Sequence, residues 1–308
     1  MSIEFDPSTR TFVLSTPSTS YAVRLVEDGV RQVHWGPRLS LAEAATVPTR
    51  PPAPDGSIVG EELPPEGGLR FGPASLVVEL PGGVRAVEFR YADHEITADG
   101  LRIGLVDRAF PLRLDLHYRG YADSDVIARW ATLSHTGSRD PIVVERLDSA
   151  AWALPRRSNY RLTHVAGEWT AEFTLERAPL PYGETTATSR RGTTRHQTNP
   201  WLAVDPGDAT EEAGEVWAVA LAWSGGFRLT ATRDLSGNAA VAGGAGHDAA
   251  TARHLMPGER WTTPIAIGVY TRDGFGALTR GFHRFARDHV IPRPHEIRPV
   301  LYNTWEAT

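Results

Sequence analysis

Strict alternation of apolar and polar residues is the feature that most limits how this chain can fold. In the run LRLDLHY (residues 112–118), Leu112, Leu114, Leu116 and Tyr118 fall on one face of a strand and the polar side chains on the other. Similar runs occupy residues 21–26, 75–80, 84–91, 101–106, 125–133, 168–176, 216–223 and 227–233. Glycine and proline clusters separate them. The pattern predicts a mainly β protein, a large antiparallel sandwich with more strands than an immunoglobulin-like sandwich needs.

Two segments depart from this alternation. Residues 48–68 contain six prolines and few apolar side chains, which predicts a long loop of the kind that often has a function. Residues 273–289 carry an apolar stripe at helical spacing, with Asp273 placed to cap the first turn, and Pro292 and Pro294 prevent continuation. We therefore expect one C-terminal helix, with residues 1–291 as a β domain, 292–298 as a linker and 299–308 as the first strand of a further domain.

Composition excludes several classes of function. The net charge of −5 and the lack of a basic tract argue against a nucleic-acid partner. No apolar run is long enough to span a bilayer, and the first residues do not resemble a signal peptide, so we expect a cytoplasmic protein without a membrane partner. Cysteine is absent, which removes disulfides and thiolate chemistry. No histidine spacing supports a metal site, and we expect no cofactor.

Three kinds of residue could carry chemistry. The segment AWSGG (residues 222–226) is close to a nucleophile elbow, but a strand-like run follows Ser224 where an elbow needs a helix, which favours a β-turn. We interpret His196 as a turn or core histidine bonded to a backbone group. The acidic residues lie mostly at polar strand positions or in turns, and no pair suited to splitting a glycosidic bond stands out.

Tryptophan is frequent in and beside the predicted strands. The six positions concerned are Trp130, Trp152, Trp169, Trp201, Trp217 and Trp223. A stripe of exposed tryptophans would suit a polysaccharide surface, whereas tryptophans on alternating strands are more often part of a core. We expect most of the six to be core residues.

Four segments in the second half of the chain resemble one enzyme family. They read SRRGTTRHQTNPW (189–201), GEVWAVALAWSGGF (214–227), LMPGERWTTP (255–264) and RPVLYNTWEAT (298–308). In type and order they resemble α-galactosidases of glycoside hydrolase family 36, in which the last segment begins the catalytic barrel. The first 180 residues match more loosely, through His34-Trp35-Gly36 and residues 107–111.

The resemblance implies the N-terminal, galactose-mutarotase-like β-supersandwich of a retaining α-galactosidase, cut off at the first strand of a (β/α)8 barrel. The substrates would be terminal α-galactosides such as melibiose or raffinose, and both catalytic aspartates would lie beyond Thr308. The resemblance favours a place in the sugar pocket for Trp305, at the C-terminal end of that strand, over packing between the barrel and its helices, and it leaves both alternatives open for Glu306.

The family resemblance also implies a tetramer in which the proline-rich loop helps to close a neighbouring subunit's pocket. Asp55, at the expected tip, would accept hydroxyl hydrogen bonds there, although its position before Gly56 equally suits a turn former. The same fold would serve an α-N-acetylgalactosaminidase or an α-galactosyl transferase. A free-standing carbohydrate-binding or oligomerisation module is the non-enzymatic alternative.

Overall fold

Antiparallel strands form most of the chain in its computed structural model, which describes residues 1–52, 56, 58–246 and 252–305. In chain order the elements are β1 (Ser2–Asp6), β2 (Thr11–Ser15), β3 (Thr19–Val26), β4 (Gly29–Pro37), α1 (Leu41–Thr46), β5 (Leu76–Glu79), β6 (Phe89–Ile96), β7 (Gly100–Asp107), β8 (Leu112–Tyr121), β9 (Val126–His135), β10 (Ile142–Leu147), β11 (Ala150–Leu154), β12 (Arg161–Glu168), β13 (Ala171–Pro179), β14 (Gly183–Ser189), β15 (Thr198–Asp205), β16 (Val216–Leu221), β17 (Phe227–Arg233), β18 (Ala239–Ala245), β19 (Arg253–Leu255), β20 (Arg260–Thr262), β21 (Ala266–Thr271) and α2 (Gly274–Phe285). A π-helical turn, Ala286–Val290, continues α2.

These strands form four sheets within the described residues. The first is the meander β1-β2-β3-β4, the second has the order β19-β10-β5, and the third has the order β11-β18-β17-β14. The fourth has ten strands, in the order β13-β12-β15-β16-β21-β9-β8-β7-β6, with β20 also paired to β9. The expected large antiparallel sandwich is confirmed.

One apolar core joins all four sheets. Phe12 from the first sheet, Val144 from the second and Trp152 from the third share it with Leu114 and Trp217 from the ten-stranded sheet. The alternation predicted for residues 112–118 is confirmed in β8, whose four apolar side chains point into this core. The two-residue period therefore sets which face of β8 is buried.

Helices cover two outer sheet faces. Phe275, Leu278 and Phe285 of α2 pack on the outer side of the ten-stranded sheet, against residues such as Val126 and Ile267. The predicted stripe is thus confirmed, although Asp273 at the N-cap makes no capping hydrogen bond through its side chain. None of the helices in the described ranges is long and apolar enough to cross a membrane.

Some local predictions are wrong. Residues 168–176 do not form one strand, because the chain turns at Trp169 and Thr170 and alternation resumes on the other side of the β12–β13 hairpin. Residues 85–88 are irregular, so the run predicted at 84–91 becomes a strand only at Phe89. Helix α1 was not predicted, although Ser40 and Glu43 form a capping box, a signal that can be read from sequence.

The C-terminal segment lies on the surface. Residues 299–305 form no strand, and Val300, Leu301 and Tyr302 are almost fully exposed. A strand needs a partner to accept its backbone hydrogen bonds, and the described residues supply none here. The domain boundary at 291–299 stays a prediction.

Candidate functional site

The structure describes only one of the three residues that were predicted to touch substrate. Asp55 and Glu306 lie outside the described residues. Trp305 is described, with 81% of its surface exposed, and its backbone N–H donates to Asn303 Oδ1 at 3.0 Å. The grouping of these three residues in one sugar pocket therefore stays a prediction.

The proline-rich loop at residues 48–68 is confirmed as lacking helix and strand where it is described. Its second half runs beside β4, where Gln32 N donates to Gly60 O at 2.8 Å and Glu62 N donates to Val30 O at 3.1 Å. At its start, the Arg50 guanidinium donates to the Leu154 carbonyl of β11. Both ends of the loop are thus fixed to the sandwich.

A buried charge network anchors the loop at Glu62, of which only 1% is exposed. Tyr21 Oη and Tyr118 Oη donate to its carboxylate at 2.7 and 2.8 Å, and Arg129 Nη2 lies 2.6 Å from Oε2. Arg129 also donates to the carbonyls of Ala151 and Glu62 at 2.6 and 3.0 Å. This network ties the loop to β3, β8, β9 and β11.

The electrostatics of this network come from burial. Burial raises the pKa of the Glu62 carboxyl, and the Arg129 guanidinium opposes that rise. Burial likewise raises the pKa of Tyr21 and Tyr118 well above the usual range, so both phenols stay protonated and donate. Arg129 also lies over the Trp152 ring at 4.5 Å from its centroid. The members of this network bond to one another and to backbone carbonyls, and in this way they hold the loop against the sandwich.

An open cavity of about 340 Å³ lies between the loop and the third sheet. Its floor is made of short side chains on the outer face of that sheet, namely Ala151, Ala153, Ala240 and Ala242. Arg50 and Arg233 both line it, and each donates to a backbone carbonyl. The cavity thus combines an apolar floor with polar walls, a lining that is typical of small-molecule sites.

Two of the three carboxylates that line this cavity, Glu61 and Asp234, are already engaged. Glu61 is ion-paired with Arg31 at 3.0 Å and Arg70 at 2.6 Å, and Asp234 accepts hydrogen bonds from the backbone and side chain of Asn238. An acid or base working on a glycosidic bond must instead face the substrate. We therefore interpret these two acids as supports of the loop and of a turn.

Three carboxylates are buried in the part of the chain that is described, and each has an arginine partner. The pairs are Glu62–Arg129, Asp148–Arg228 and Asp205–Arg161. Such pairing is the usual condition for burying a charge. No group of three or more histidine, aspartate or glutamate side chains within the described ranges is placed to hold a metal ion.

Two other candidate residues, Ser224 and His196, are explained by their positions in connections between strands. Ser224 lies in a bend followed directly by β17, so the elbow hypothesis is wrong and the turn interpretation is confirmed. His196 is half-buried in a turn, as expected, but its ring bonds to the Gln197 side chain at 3.1 Å and not to the backbone.

The tryptophans divide into two groups. Trp152 and Trp217 are fully buried, and Trp130 and Trp201 are partly buried. Trp169 and Trp223 are exposed, at 65% and 46% of their surface. The core prediction therefore fails for these two, because a hairpin tip and a strand end follow the same alternation in sequence as a strand interior.

Comparison with known proteins identifies the family. Residues 28–253 match the model of the glycosyl hydrolase family 36 N-terminal domain, and residues 260–308 match the melibiase model. The chain belongs to glycoside hydrolase family 36. The resemblance of the four sequence segments is thereby confirmed.

Relatives in family 36 cover the whole chain. The α-galactosidase AgaA of Geobacillus stearothermophilus is 30% identical over 100% of this chain and 46% of its own length, and Mel36A of Lactobacillus acidophilus is 26% identical over 99% and 46%. The crystal structure of AgaB from Geobacillus stearothermophilus superposes with a TM-score of 0.88 at 27% identity, over 100% of this chain and 46% of that one. The chain thus spans less than half the length of the relatives it matches.

The residues that anchor the loop were not predicted from the sequence. Glu62 and Arg129 are 67 positions apart, and neither lies in a recognisable motif. The available signal was weak: Arg129 stands among apolar residues in a predicted strand, where a charge needs a partner.

Proposed function

We propose that this chain is the N-terminal domain of a retaining α-galactosidase that hydrolyses terminal α-galactosides in oligosaccharides. The observation that carries the proposal is the 30% identity to AgaA along the entire chain. AgaA variants have been crystallised with raffinose and with stachyose, which supports substrates of the raffinose type.

Retention of configuration requires two carboxyl groups about 5–5.5 Å apart across the scissile bond, one as nucleophile and one as acid/base. The family resemblance assigns both roles to barrel aspartates beyond Thr308. In this proposal, Trp305 places its ring against the C–H face of the galactose, and Glu306 accepts hydroxyl hydrogen bonds.

The proline-rich loop would complete the pocket of a neighbouring subunit in a tetramer, with Asp55 as its contact. The anchoring of both loop ends by Arg50 and Glu62 supports this role, because a loop fixed at its base presents its middle at a defined place. In the whole protein, Asp55→Ala would then raise KM for a galactoside and leave Tm nearly unchanged.

The deciding experiment uses the whole protein that contains this chain. It should hydrolyse an aryl α-galactoside much faster than the corresponding β-galactoside, α-N-acetylgalactosaminide or α-glucoside, and NMR should show the α-anomer as the first product. Preference for the N-acetyl sugar, or galactose transfer to an acceptor without net hydrolysis, would replace the proposal with one of its two relatives. No turnover of any of them would favour a binding or oligomerisation module.

A matched pair of variants tests the assignment of Trp305. In the whole protein, Trp305→Ala should lower kcat/KM at least tenfold, since a stacked aromatic ring orients the sugar. Trp169→Ala, which also removes an exposed indole, should leave kcat/KM within twofold. Equal effects of the two substitutions would remove Trp305 from the pocket.

A further inference from the structure

A second open cavity, of about 260 Å³, lies between the second and third sheets. Two indole rings, Trp223 and Trp261, line it together with Arg146 and Glu145. Gly192, Gly225, Gly226 and Gly246 form much of the remaining wall. We call this cavity the tryptophan cleft. Its volume is close to the lower end of small-molecule sites, roughly 300–1,000 Å³, so it suits one sugar ring better than a long chain.

The indole of Trp223 is exposed yet fixed in orientation. Its Nε1–H donates to Gly226 O at 3.2 Å, and the ring lies against Gly225. A Cβ at residue 225 would lie 2.5 Å from Trp223 Nε1, so only glycine permits this placement. Because the orientation of the ring is already fixed before a ligand binds, little conformational entropy is lost when the ligand stacks on it.

The polar wall of the cleft has unused hydrogen-bonding capacity. Arg146 donates to the Ala74 carbonyl at 3.1 Å, and no ion pair to it is found among the residues described. Burial, and then the neighbouring Arg228, lower the pKa of its guanidinium. Its remaining N–H groups can donate to a ligand.

Acceptors for a ligand stand on the same strand. Both carboxylate oxygens of Glu145 accept from Arg85, at 2.9 and 2.8 Å, and each oxygen keeps a lone pair for a further donor. Behind them, the buried Asp148–Arg228 pair, at 2.8 Å, fixes the floor. A flat apolar face, cationic donors and carboxylate acceptors line the same cavity, and this combination matches the alternating C–H faces and hydroxyl edges of a pyranose.

We propose that the tryptophan cleft binds a hexopyranose unit of a saccharide. The sugar's C–H face lies on Trp223, with Trp261 as the second wall, while its hydroxyls accept from Arg146 and donate to Glu145. This goes beyond the proposed hydrolysis, since it concerns saccharide binding by the β domain itself and involves no bond cleavage.

The test is a titration of the 308-residue chain with raffinose, followed through its indole ¹⁵N–¹H signals. Variants Trp223→Phe, Trp261→Phe and Trp169→Phe assign three of the signals by their loss. The signals of Trp223 and Trp261 should shift saturably, with a Kd in the millimolar range, and the signal of Trp169 should stay in place. No saturable shift below about 100 mM raffinose would overturn the proposal, since binding weaker than that is not specific recognition.

Substitutions then locate the binding. Trp223→Ala should raise Kd at least tenfold and Arg146→Gln severalfold, whereas Trp169→Ala should leave Kd unchanged. Circular dichroism and the thermal midpoint check that each variant is folded, and Trp223 is exposed enough to be removed without a cavity in the core. Equal Kd values for Trp223→Ala and Trp169→Ala would overturn the proposal. An inactive whole protein would leave these Kd values unaffected, so failure of the two proposals can be told apart.

Discussion

Replacing Arg129 by methionine should destabilise the chain strongly, because it removes the cation of the buried network that anchors the proline-rich loop. The Glu62 carboxylate would keep only the two hydrogen bonds from Tyr21 and Tyr118, and the Ala151 carbonyl would lose its donor. Removing one partner of a buried ion pair costs about 3–5 kcal/mol, since the other charge stays buried without its counterion. We expect a loss of about 4 kcal/mol in the free energy of unfolding. At roughly 2 °C per kcal/mol, the thermal midpoint would fall by about 8 °C.

This loss should depend on pH in a defined direction. Burial raises the pKa of Glu62 in the folded chain, and removing Arg129 takes away the charge that opposes that rise. A carboxyl whose pKa is higher folded than unfolded binds more protons in the folded state. Stability therefore falls as pH rises from the unfolded pKa through the folded pKa. Relative to wild type, Arg129→Met should be most destabilised above the folded pKa and recover at lower pH, where Glu62 is neutral.

Urea unfolding followed by tryptophan fluorescence and circular dichroism measures both effects, and a double-mutant cycle isolates the pair. Glu62→Gln combined with Arg129→Met should cost clearly less than the sum of the two single substitutions, because the double variant has no unpaired charge. Three results would refute this prediction. They are a loss in the free energy of unfolding below about 1 kcal/mol for Arg129→Met, strict additivity in the cycle, and a loss that does not change with pH.

Two further predictions concern single side chains. Asp93→Asn should lower stability by at most about 1 kcal/mol near neutral pH, because the side chain is 45% exposed and solvent screens its ion pairs. Hydrogen bonds from Arg113, and then from Arg102, lower the pKa of Asp93 from 3.8 to about 2, so this difference in thermal midpoint should shrink as pH falls below about 4. Gly268→Ala should cost about 1–3 kcal/mol, because its Cβ would lie 2.8 Å from the Trp152 ring, whereas Gly72→Ala, with open space around it, should change the urea midpoint little. A difference for Asp93→Asn that persists to pH 2.5, or equal midpoints for the two glycine variants, would contradict these arguments.

The sequence predicts the strands and the helix well because both follow local periodicity. The run at residues 112–118 lies in β8 as expected, and the stripe of α2 packs as expected. What periodicity cannot predict is a tight turn within a continuing alternation, as at Trp169, or a pairing between distant residues. The bond from Trp217 Nε1 to the Trp35 carbonyl joins positions 182 apart, and no local pattern indicates it.

The candidate site was less predictable than the fold. Asp55, Trp305 and Glu306 were assigned through family resemblance, and their proposed roles involve a catalytic barrel and a neighbouring subunit, which no local sequence pattern in this chain describes. The tryptophan cleft depends on the proximity of Trp223 and Trp261 in space, although they are 38 positions apart in the chain. Alternation assigned Trp223 to a strand and hence to the core, whereas it lies just beyond the end of β16.

The position of β21 has a consequence for how the protein is synthesised. This strand lies between β16 and β9, so it joins two halves of the ten-stranded sheet that are both made earlier. While a ribosome is still adding residues before Ala266, β9 and β16 each have a sheet edge that awaits its native neighbour. Unpaired edges recruit strands from other chains. A nascent or prematurely terminated chain of this protein is therefore especially exposed to aggregation just before β21 emerges, and chaperone binding would be useful in that interval.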